Sequence, residues 1–370
     1  MVQSFDICIR GAGIVGRALA LHLASMRLRV ALVEQASPFN VADVRAYALN
    51  LPSRTLLESV GCWPPEPHHT PVHSMKVWAD EGGQVAFSAT GQQTEALSWI
   101  VDVPVLENTL ADAVRNQARI SVVNSPVSAA LTVICEGRSS NARHDLGLDF
   151  DIIPYPQSAL AARVQSDTPH LQTARQWFHN GDILALLPVA GSGGCEYALV
   201  WSTPPERAQH LHDCTACAFD AEINAFSGGE AGALSLTSQR RVWPLQHAQA
   251  RRWSGCNTQG AWVLAGDAAH TVHPLAGQGL NLGLADVAEL VRLLDDRPSW
   301  RSVADTRLLR QYERRRKANF ALMGGVNDTL QQLFTLSNPL AQTIRSWGMN
   351  RFDQTLFLKN HIAQRAMGRT

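Results

Sequence analysis

The chain has 370 residues, of which 45% are hydrophobic and 17% are charged. This length predicts about two domains with a sizeable core, and the balance argues against global disorder. Lysine and arginine together number 32, as do aspartate and glutamate, so the net charge indicates no nucleic acid partner.

The first residues lack the basic segment and unbroken apolar run of a signal peptide, so we expect none. No stretch reaches the roughly 18 uncharged apolar residues of a transmembrane helix. We therefore expect a cytoplasmic protein, or one bound peripherally at the inner membrane. The seven cysteines predict free thiols in a reducing compartment. Cys214 and Cys217, near His210 and His212, loosely suggest a metal site, but incidental thiols are favoured and we predict no metal.

The hydrophobic pattern predicts elements in a βαβ order at the N-terminus and a strand-rich block in the middle. In chain order these are strand 7–10, helix 11–26, strand 29–34, helix 51–60, a hairpin over about 75–89, helix 106–118, strands 131–135, 184–189, 197–202 and 261–265, helix 280–294, and a helical remainder. The fold class is therefore α/β. We predict a discontinuous Rossmann-like domain (1–74, 100–149 and 242–300), an inserted, mostly antiparallel β-sheet substrate domain (75–99 and 150–241), and a helical C-terminal region (301–370).

The first motif is a glycine-rich turn between the first strand and the first helix. It fits G-x-G-x-x-G and consists of Gly11, Ala12, Gly13, Ile14, Val15 and Gly16. Gly11 permits a tight turn, Gly13 lets a pyrophosphate approach the helix N-terminus, and Gly16 lets helix and strand pack closely. Glu34 follows the second strand, where an acidic residue accepts hydrogen bonds from a ribose. This context predicts a dinucleotide site.

The second motif also follows a strand and precedes a helix. It runs from Gly266 to Asn281 and reads GDAAHTVHPLAGQGLN. Asp267 is placed to accept a hydrogen bond from the ribityl chain of a flavin, and the glycines at 277 and 279 allow a flat ring to lie against bare backbone. His270 and His273 are interpreted as structural hydrogen-bonding residues rather than metal ligands or acid–base catalysts. Between the two motifs, Arg45 can reach the pyrophosphate.

These blocks together resemble the class A flavin-dependent monooxygenases, and within them the ubiquinone-biosynthesis hydroxylases (UbiH-like). Four segments match in order, and weaker echoes extend the likeness over nearly the whole chain. The four are the Gly11 fingerprint with Glu34, the block Asp43/Arg45/Ala48/Leu49, the pair Glu136-Gly137, and the block 266–286. The last of these is the most specific part of the resemblance.

The resemblance implies one FAD, with Arg45 at its pyrophosphate and Asp267 at the ribityl or pyrophosphate region. It implies that residues 274–280 line the isoalloxazine ring. Flavin-lining His273 and Pro274 would lie nearest the chemistry, with no certain catalytic residue. The cofactor set predicted overall is Gly11, Gly13, Ile14, Val15, Gly16, Glu34, Arg45, Gly137, Gly266, Asp267, Pro274, Gly277, Gln278, Gly279, Leu280 and Asn281. The family has Asp-Gly where this chain has Glu136-Gly137, and the stretch 120–134 before it is short.

The implied activity is hydroxylation of the aromatic ring of a polyprenylated phenol in ubiquinone biosynthesis. NAD(P)H is the transient reductant and O₂ the oxidant, through a C4a-hydroperoxyflavin. Three alternatives remain open: a class A hydroxylase of another aromatic compound, a flavin reductase of an isoprenoid, and a low-activity flavoprotein scaffold of the ubiquinone-biosynthesis complex. Trp177, Leu187 and Trp201 are candidate pocket walls, although core packing is the simpler interpretation of each.

The last 61 residues are basic and interleaved with apolar side chains. From Arg310 to Thr370 there are ten lysines and arginines against three acidic residues. This pattern predicts either docking on an anionic membrane or on a ubiquinone-pathway partner, or a solvated helical face, in equal measure.

Overall fold

The computed structural model describes residues 4–35, 43–79, 83–272 and 278–335. Its strands, in chain order, are β1 (Phe5–Arg10), β2 (Val30–Val33), β3 (Ala46–Leu49), β4 (His69–Val72), β5 (Ser74–Trp78), β6 (Gln84–Ser88), β7 (Ser98–Asp102), β8 (Ile120–Val123), β9 (Ala129–Ile134), β10 (Phe150–Ser166), β11 (Thr173–His179), β12 (Asp182–Pro188), β13 (Glu196–Thr203), β14 (Leu234–Leu236), β15 (Arg241–Ala250), β16 (Ser254–Asn257), β17 (Gly260–Leu264) and β18 (His270–Thr271). Its helices are α1 (Ile14–Ser25), α2 (Leu51–Glu58), α3 (Val103–Arg115), α4 (Asn141–Asp145), α5 (Pro205–Asp213), α6 (Ala216–Ser227), α7 (Gln278–Asp295) and α8 (Thr306–Thr335).

The N-terminal and C-terminal thirds share one six-stranded sheet in the order β16-β17-β9-β1-β2-β8. The pairs within β17-β9-β1-β2-β8 are parallel, so the carboxyl ends of these strands meet at one edge. Buried aliphatic side chains of β1, β2 and β9 pack against α1, α3 and α7 in the largest hydrophobic cluster. The predicted α/β class with a Rossmann-like sheet is confirmed.

The middle of the chain forms a nine-stranded sheet in which β18-β15-β10-β13-β12-β11-β5-β6 are neighbours and β14 pairs with β10. Its pairs are antiparallel except that of β5 with β11. On one face, buried residues such as Leu184, Leu186 and Trp201 pack with Phe219 and Ile223 of α6. Part of the opposite face packs against β3, β4 and β7 in a smaller cluster that includes Ala174, Val189 and Ala198. The rest, which we call the free face, is left for the functional site.

Some elements differ from the sequence-based prediction. Helices α5 and α6 lie in the block predicted to be strand-rich, although Pro205 in the first turn of α5 and the Thr215 cap of α6 are ordinary helix-start signals. Helix α3 begins at Val103 because Pro104 fits its first turn. A small sheet, β3-β7-β4, was not predicted. None of the helices described is long and apolar enough to cross a membrane.

Candidate functional site

The fingerprint loop lies between the carboxyl end of β1 and the start of α1. Gly11 has φ of +110°, and a Cβ there would lie 2.4 Å from the Cys135 carbonyl oxygen at the end of the neighbouring strand. A Cβ on Gly16 would lie 1.9 Å from the Gly11 carbonyl oxygen. Both positions therefore require glycine for backbone packing, which is the role that the spacing predicts for them.

Gly13 has a different environment, because a Cβ there would meet no protein atom within 4 Å. It precedes the first turn of α1 and makes no side-chain cap, and that first turn holds no acidic residue. The free N–H groups and the dipole of the helix therefore face open space, as an anion-binding N-terminus does. This bare backbone fits a pyrophosphate.

Glu34, the predicted ribose acceptor, follows β2 and is held by Arg17. The Arg17 Nη2 donates to Glu34 Oε1 over 2.6 Å, and the Arg17 side chain is only 10% exposed. One carboxylate oxygen is thus fixed by a cation, and the half-exposed carboxylate can still accept from another donor. The sequence analysis did not predict this role for Arg17, because a single charged residue within an apolar helix gives no indication of its partner.

Arg45 precedes β3 and forms a close pair with Asp43. Its Nε donates to both Asp43 carboxylate oxygens over 2.9 Å, and its Nη2 donates to Oδ2 over 2.5 Å. The hydrogen bonds that Arg45 donates to the Asp43 carboxylate raise the pKa of Arg45. Burial acts to raise the pKa of Asp43, but the bonds from Arg45 outweigh it and the net shift is downward. Arg163 of β10 fixes this segment by donating to the carbonyl oxygens of Val44 and Arg45.

The second motif begins where β17 ends. Gly266 has φ of +63° and packs on Val15 of α1, so the two predicted motifs are in direct contact. Asp267 is exposed and lines the cavity beside these motifs, and no side-chain or backbone donor is found for it within the described residues. Desolvation by its surroundings raises the pKa of Asp267. A carboxylate in this position fits a hydroxyl-bearing ligand.

Helix α7 begins at Gln278, and His273, Pro274 and Gly277 lie outside the described residues. The Asn281 side chain does not face the cofactor side. Its Oδ1 accepts from the Asn50 N–H and the Ser53 hydroxyl, and its Nδ2 donates to the Ala48 carbonyl oxygen. The Asn281 side chain therefore joins α7 to β3 and α2, and its predicted role at the cofactor stays a prediction.

The Glu136 carboxylate turns away from the cavity as well. It accepts from Arg10 Nε at 2.8 Å, from the Ser140 hydroxyl at 2.9 Å and from the Ala142 N–H at 2.8 Å. This residue therefore holds the start of α4. The neighbouring Gly137, with φ of +77°, lines the cavity instead. The departure from the family pattern therefore gives no support to the scaffold alternative.

One cavity of about 650 Å³ joins these loops to the free face of the nine-stranded sheet. Its cofactor side contains the predicted residues Gly13, Ile14, Val15, Arg45, Gly137, Gly266, Asp267, Gly279 and Leu280. Its sheet side includes Ala161, Gln176, Ala185, Leu187, Val200, Arg241 and Trp243. Of the three candidate walls, Leu187 lines the cavity, whereas Trp177 and Trp201 belong to the core on the opposite face.

Among the described residues we find neither a metal site nor a disulfide bond. No group of three or more His, Cys, Asp or Glu side chains could hold a metal ion among those residues. All seven cysteines are free, and Cys8, Cys62 and Cys135 are buried. The groups that fit a ligand are backbone N–H groups, Asp267 and a long apolar wall, which match a phosphate-bearing cofactor with a polyol and a flat ring.

The match to a known family agrees with this geometry. The model of the FAD binding domain family matches residues 106–323, which is more than half of the chain. The chain therefore belongs to this family, and the predictions of FAD as cofactor and of a class A flavin-dependent monooxygenase are confirmed.

Individual relatives match over almost the whole length. The 3-demethoxyubiquinol 3-hydroxylase of Escherichia coli K12 is 27% identical and covers 99% of both chains. The ubiquinone hydroxylase UbiL of Rhodospirillum rubrum is 26% identical over 98% of this chain and 89% of its own. Among solved structures, p-nitrophenol 4-monooxygenase PnpA of Pseudomonas putida DLL-E4 has a TM-score of 0.78 at 17% identity, with 99% of both chains covered. This last similarity shows the fold.

Proposed function

We propose that the protein hydroxylates the aromatic ring of a polyprenylated phenol in ubiquinone biosynthesis, using NAD(P)H and O₂. The observation that carries the proposal is a cavity shared by the cofactor loops and the free face of the nine-stranded sheet. The ubiquinone hydroxylases among the full-length relatives support the substrate class. FAD supplies the redox chemistry when bound, and the chain supplies its binding, the placement of the ring and the exclusion of water.

The sheet face carries a straight row of residues that fits an elongated apolar substrate. Ala161 lies opposite Arg241 on one side and Val200 on the other, Val200 lies opposite Ala185, and Ala185 lies opposite Gln176. Directly opposed side chains share a face of a sheet, and all five line the cavity. Adjacent strands are about 4.8 Å apart, so the row is about 19 Å long.

The middle of this row is a shallow trough, because its three central residues are small. Ile183 and Leu187 flank Ala185 two positions away along the same strand, and both also line the cavity. Arg241 and Gln176 close the two ends with hydrogen-bond donors. A prenyl chain fits between apolar walls of this kind. The hydrogen-bond donors at the two ends of the row fit the oxygens of a phenol at one end and the exit of the chain from the trough at the other.

The Arg241 end of the trough lies beside the cofactor loops. Arg138, next to Gly137, donates from Nη1 to the Pro244 carbonyl oxygen of β15 at 3.4 Å, and β15 also carries Arg241 and Trp243. We therefore infer that the ring lies at this end and that the tail extends towards Gln176. The narrow trough orients the substrate, because it admits the thin prenyl tail and excludes the bulkier aromatic ring.

The proposal is tested with the purified holoprotein and a prenylated phenol. We expect stoichiometric FAD and NAD(P)H oxidation that the phenol stimulates. We also expect complementation of a strain that lacks one ring hydroxylation step, with quinone intermediates identified by mass spectrometry. Stoichiometric FAD without phenol-stimulated oxidation, and without complementation of any such strain, would favour the scaffold instead.

A membrane contact through the basic C-terminal region is a further part of the proposal. Five of its ten basic residues lie within the described part of α8, and they divide into two groups. Arg315 pairs with Glu289, Lys317 pairs with Glu313, and Arg316 is buried against Asp286. Arg310 and Arg314 are exposed and have no ion pair with any described residue. These two arginines of α8 are available to an anionic surface.

We expect an Arg310→Ala/Arg314→Ala variant to bind vesicles containing anionic lipid about 30-fold more weakly, since each basic residue contributes about 1 kcal/mol at such a surface. Vesicle co-sedimentation measures this. Arg115→Ala is the control, because Arg115 is exposed and lies on a different helix, α3, so this variant should bind as the parent does. Unchanged binding of the double variant would remove the docking proposal. Arg316 is left intact because it is buried.

A further inference from the structure

A buried carboxylate lies behind the second motif. Asp286 of α7 has no exposed side-chain surface, and it accepts three hydrogen bonds from three other segments. Its Oδ2 accepts from the Gly266 N–H at 2.8 Å and from His270 Nε2 at 2.7 Å. Its Oδ1 accepts from Arg316 Nε of α8 at 2.6 Å. These charge-assisted bonds are short and join four elements at one residue.

The three side chains form a closed group, which we call the Asp286 network (Asp286, His270 and Arg316). The His270 and Arg316 side chains are 2% and 4% exposed. The His270 ring packs against both Trp253 and Phe320, with each ring centroid 4.9 Å away, and those two rings lie 6.1 Å from each other. Burial acts to raise the pKa of Asp286, but the charges of His270 and Arg316 outweigh it and the pKa is lowered.

Stability alone does not account for such a group. Removing charges from water is costly, and a buried ion pair replaced by apolar residues of similar volume is often as stable or more stable. A buried network can instead fix one arrangement of the segments that it joins. The question is then which segment the Asp286 network fixes.

The network holds both sides of Asp267. Gly266 precedes it and His270 follows it, and each is bonded to Asp286. Helix α7 also touches this loop directly, because a Cβ on Gly283 would lie 2.8 Å from Val15 Cγ2 and 3.4 Å from Gly266 Cα. The loop is therefore packed between α1 and α7. The Asp286 carboxylate, one turn after Gly283 on α7, fixes the two ends of this loop.

Helix α8 also fixes this loop, from outside the cavity. The Tyr312 hydroxyl donates to the Leu264 carbonyl oxygen, at the end of β17, over 3.0 Å. One turn later, Arg316 bonds to Asp286 and also donates to the Leu282 carbonyl oxygen over 3.2 Å. Neither residue lines the cavity described above. Both can act on a cofactor only through the position of the loop.

We propose that the Asp286 network positions Asp267 for the cofactor, so that Arg316 of α8 contributes to FAD affinity without touching FAD. All three members are positioning residues. The inference depends on the proposed cofactor cavity, which a substitution at Gly13 tests separately, so a failure of either can be recognised.

The first test compares two arginines two positions apart on α8. In Arg316→Met the carboxylate loses its cation, and we expect the dissociation constant of FAD to rise about tenfold or more, as when outer partners of a binding group are removed. Arg314→Met, which changes an exposed arginine on the same helix, should leave it unchanged. Fluorescence titration of the apoprotein with FAD measures both. Equal affinity in the two variants would overturn the proposal.

The second test separates positioning from stability. Asp286→Leu/Arg316→Met removes both charges, and we expect the thermal midpoint of the apoprotein to lie above that of Arg316→Met, which leaves the buried carboxylate without its arginine. FAD affinity should remain low, because nothing then holds the Gly266 N–H and His270. If FAD affinity returned together with stability, the network would be structural only and the proposal would fail.

A third variant remains informative if the charge variants do not fold. His270→Phe keeps an aromatic ring in contact with Trp253 and Phe320 and removes only the N–H donor. We expect a folded apoprotein with weaker FAD affinity and an altered circular dichroism signal in the flavin absorption band of the holoprotein. An unchanged affinity and an unchanged flavin signal would contradict the proposal.

Discussion

A Gly13→Val variant is expected to fold as the parent does and to bind FAD about 100-fold more weakly, a loss of about 2.7 kcal/mol. Gly13 has φ of −76° and ψ of −175°, a conformation open to valine, and its Cβ would meet no protein atom within 4 Å. The added side chain would occupy the space in front of the α1 N-terminus, where the pyrophosphate is proposed to lie. Equilibrium titration of the apoprotein with FAD gives the affinity, and thermal unfolding of the apoprotein gives the stability.

The control for this variant is Gly16→Ala, in which the smaller side chain has the larger structural effect. Its Cβ would lie 1.9 Å from the Gly11 carbonyl oxygen, so the backbone must shift. We expect Gly16→Ala to lower the stability of the apoprotein by about 1–3 kcal/mol. If Gly13→Val bound FAD as tightly as the parent, the cofactor would not approach the fingerprint loop and the cavity assignment would be wrong.

An Ala185→Phe variant is expected to retain FAD and to lose about 100-fold in kcat/KM for a phenol with a long prenyl tail. Ala185 lies in the trough between Val200 and Gln176 and faces the cavity, so a phenyl ring there fills the path of the tail. A phenol without a tail should react as in the parent, because its ring lies at the Arg241 end. Steady-state kinetics with the two substrates measure the difference.

Ala185→Ser provides the control of nearly unchanged size, and we expect it to accept both phenols. The bound FAD and the thermal midpoint of Ala185→Phe show whether the substitution disturbs anything but the trough. A uniform loss with both substrates would mean that the tail does not lie on this face. An unchanged rate with the long-tailed phenol would exclude the trough as its binding site.

The local sequence was sufficient to predict the βαβ opening, because glycine spacing and apolar runs are local signals. Gly11 and Gly16 have the contacts that their positions in the motif predict. The start of α1 was predicted three residues too early, since the φ of +110° at Gly11 is incompatible with a helix. Helix α5 was missed because its polar sequence gives little periodicity, and Pro205 is its clearest signal.

Contacts between residues far apart in sequence could not be predicted from one chain. The Asn281 side chain fits the motif as a cofactor ligand, but its partners Asn50 and Ser53 lie more than 200 positions away. Arg316 reads as one of a run of surface cations, whereas its partner Asp286 makes it a buried residue. The domain bounds and the roles of His273, Pro274 and Gly277 stay predictions, and these three residues lie outside the described part of the chain.

In the proposed arrangement, binding of the cofactor and recognition of the substrate are carried by different parts of the fold. Loops at the carboxyl edge of the parallel sheet supply backbone N–H groups and Asp267, and the nine-stranded sheet supplies the apolar face. Helices α7 and α8 lie behind the loops and contact them through Gly283 and the Asp286 network. Substitutions on the sheet and on these helices should therefore affect different steps.

The most direct test of the proposed hydroxylation is a single turnover of the holoprotein with a prenylated phenol and NAD(P)H under ¹⁸O₂, followed by mass spectrometry of the product. We predict a ring-hydroxylated phenol that carries one oxygen atom from O₂. Consumption of NAD(P)H without a labelled phenol, or a product whose new oxygen atom comes from water, would contradict the proposed function.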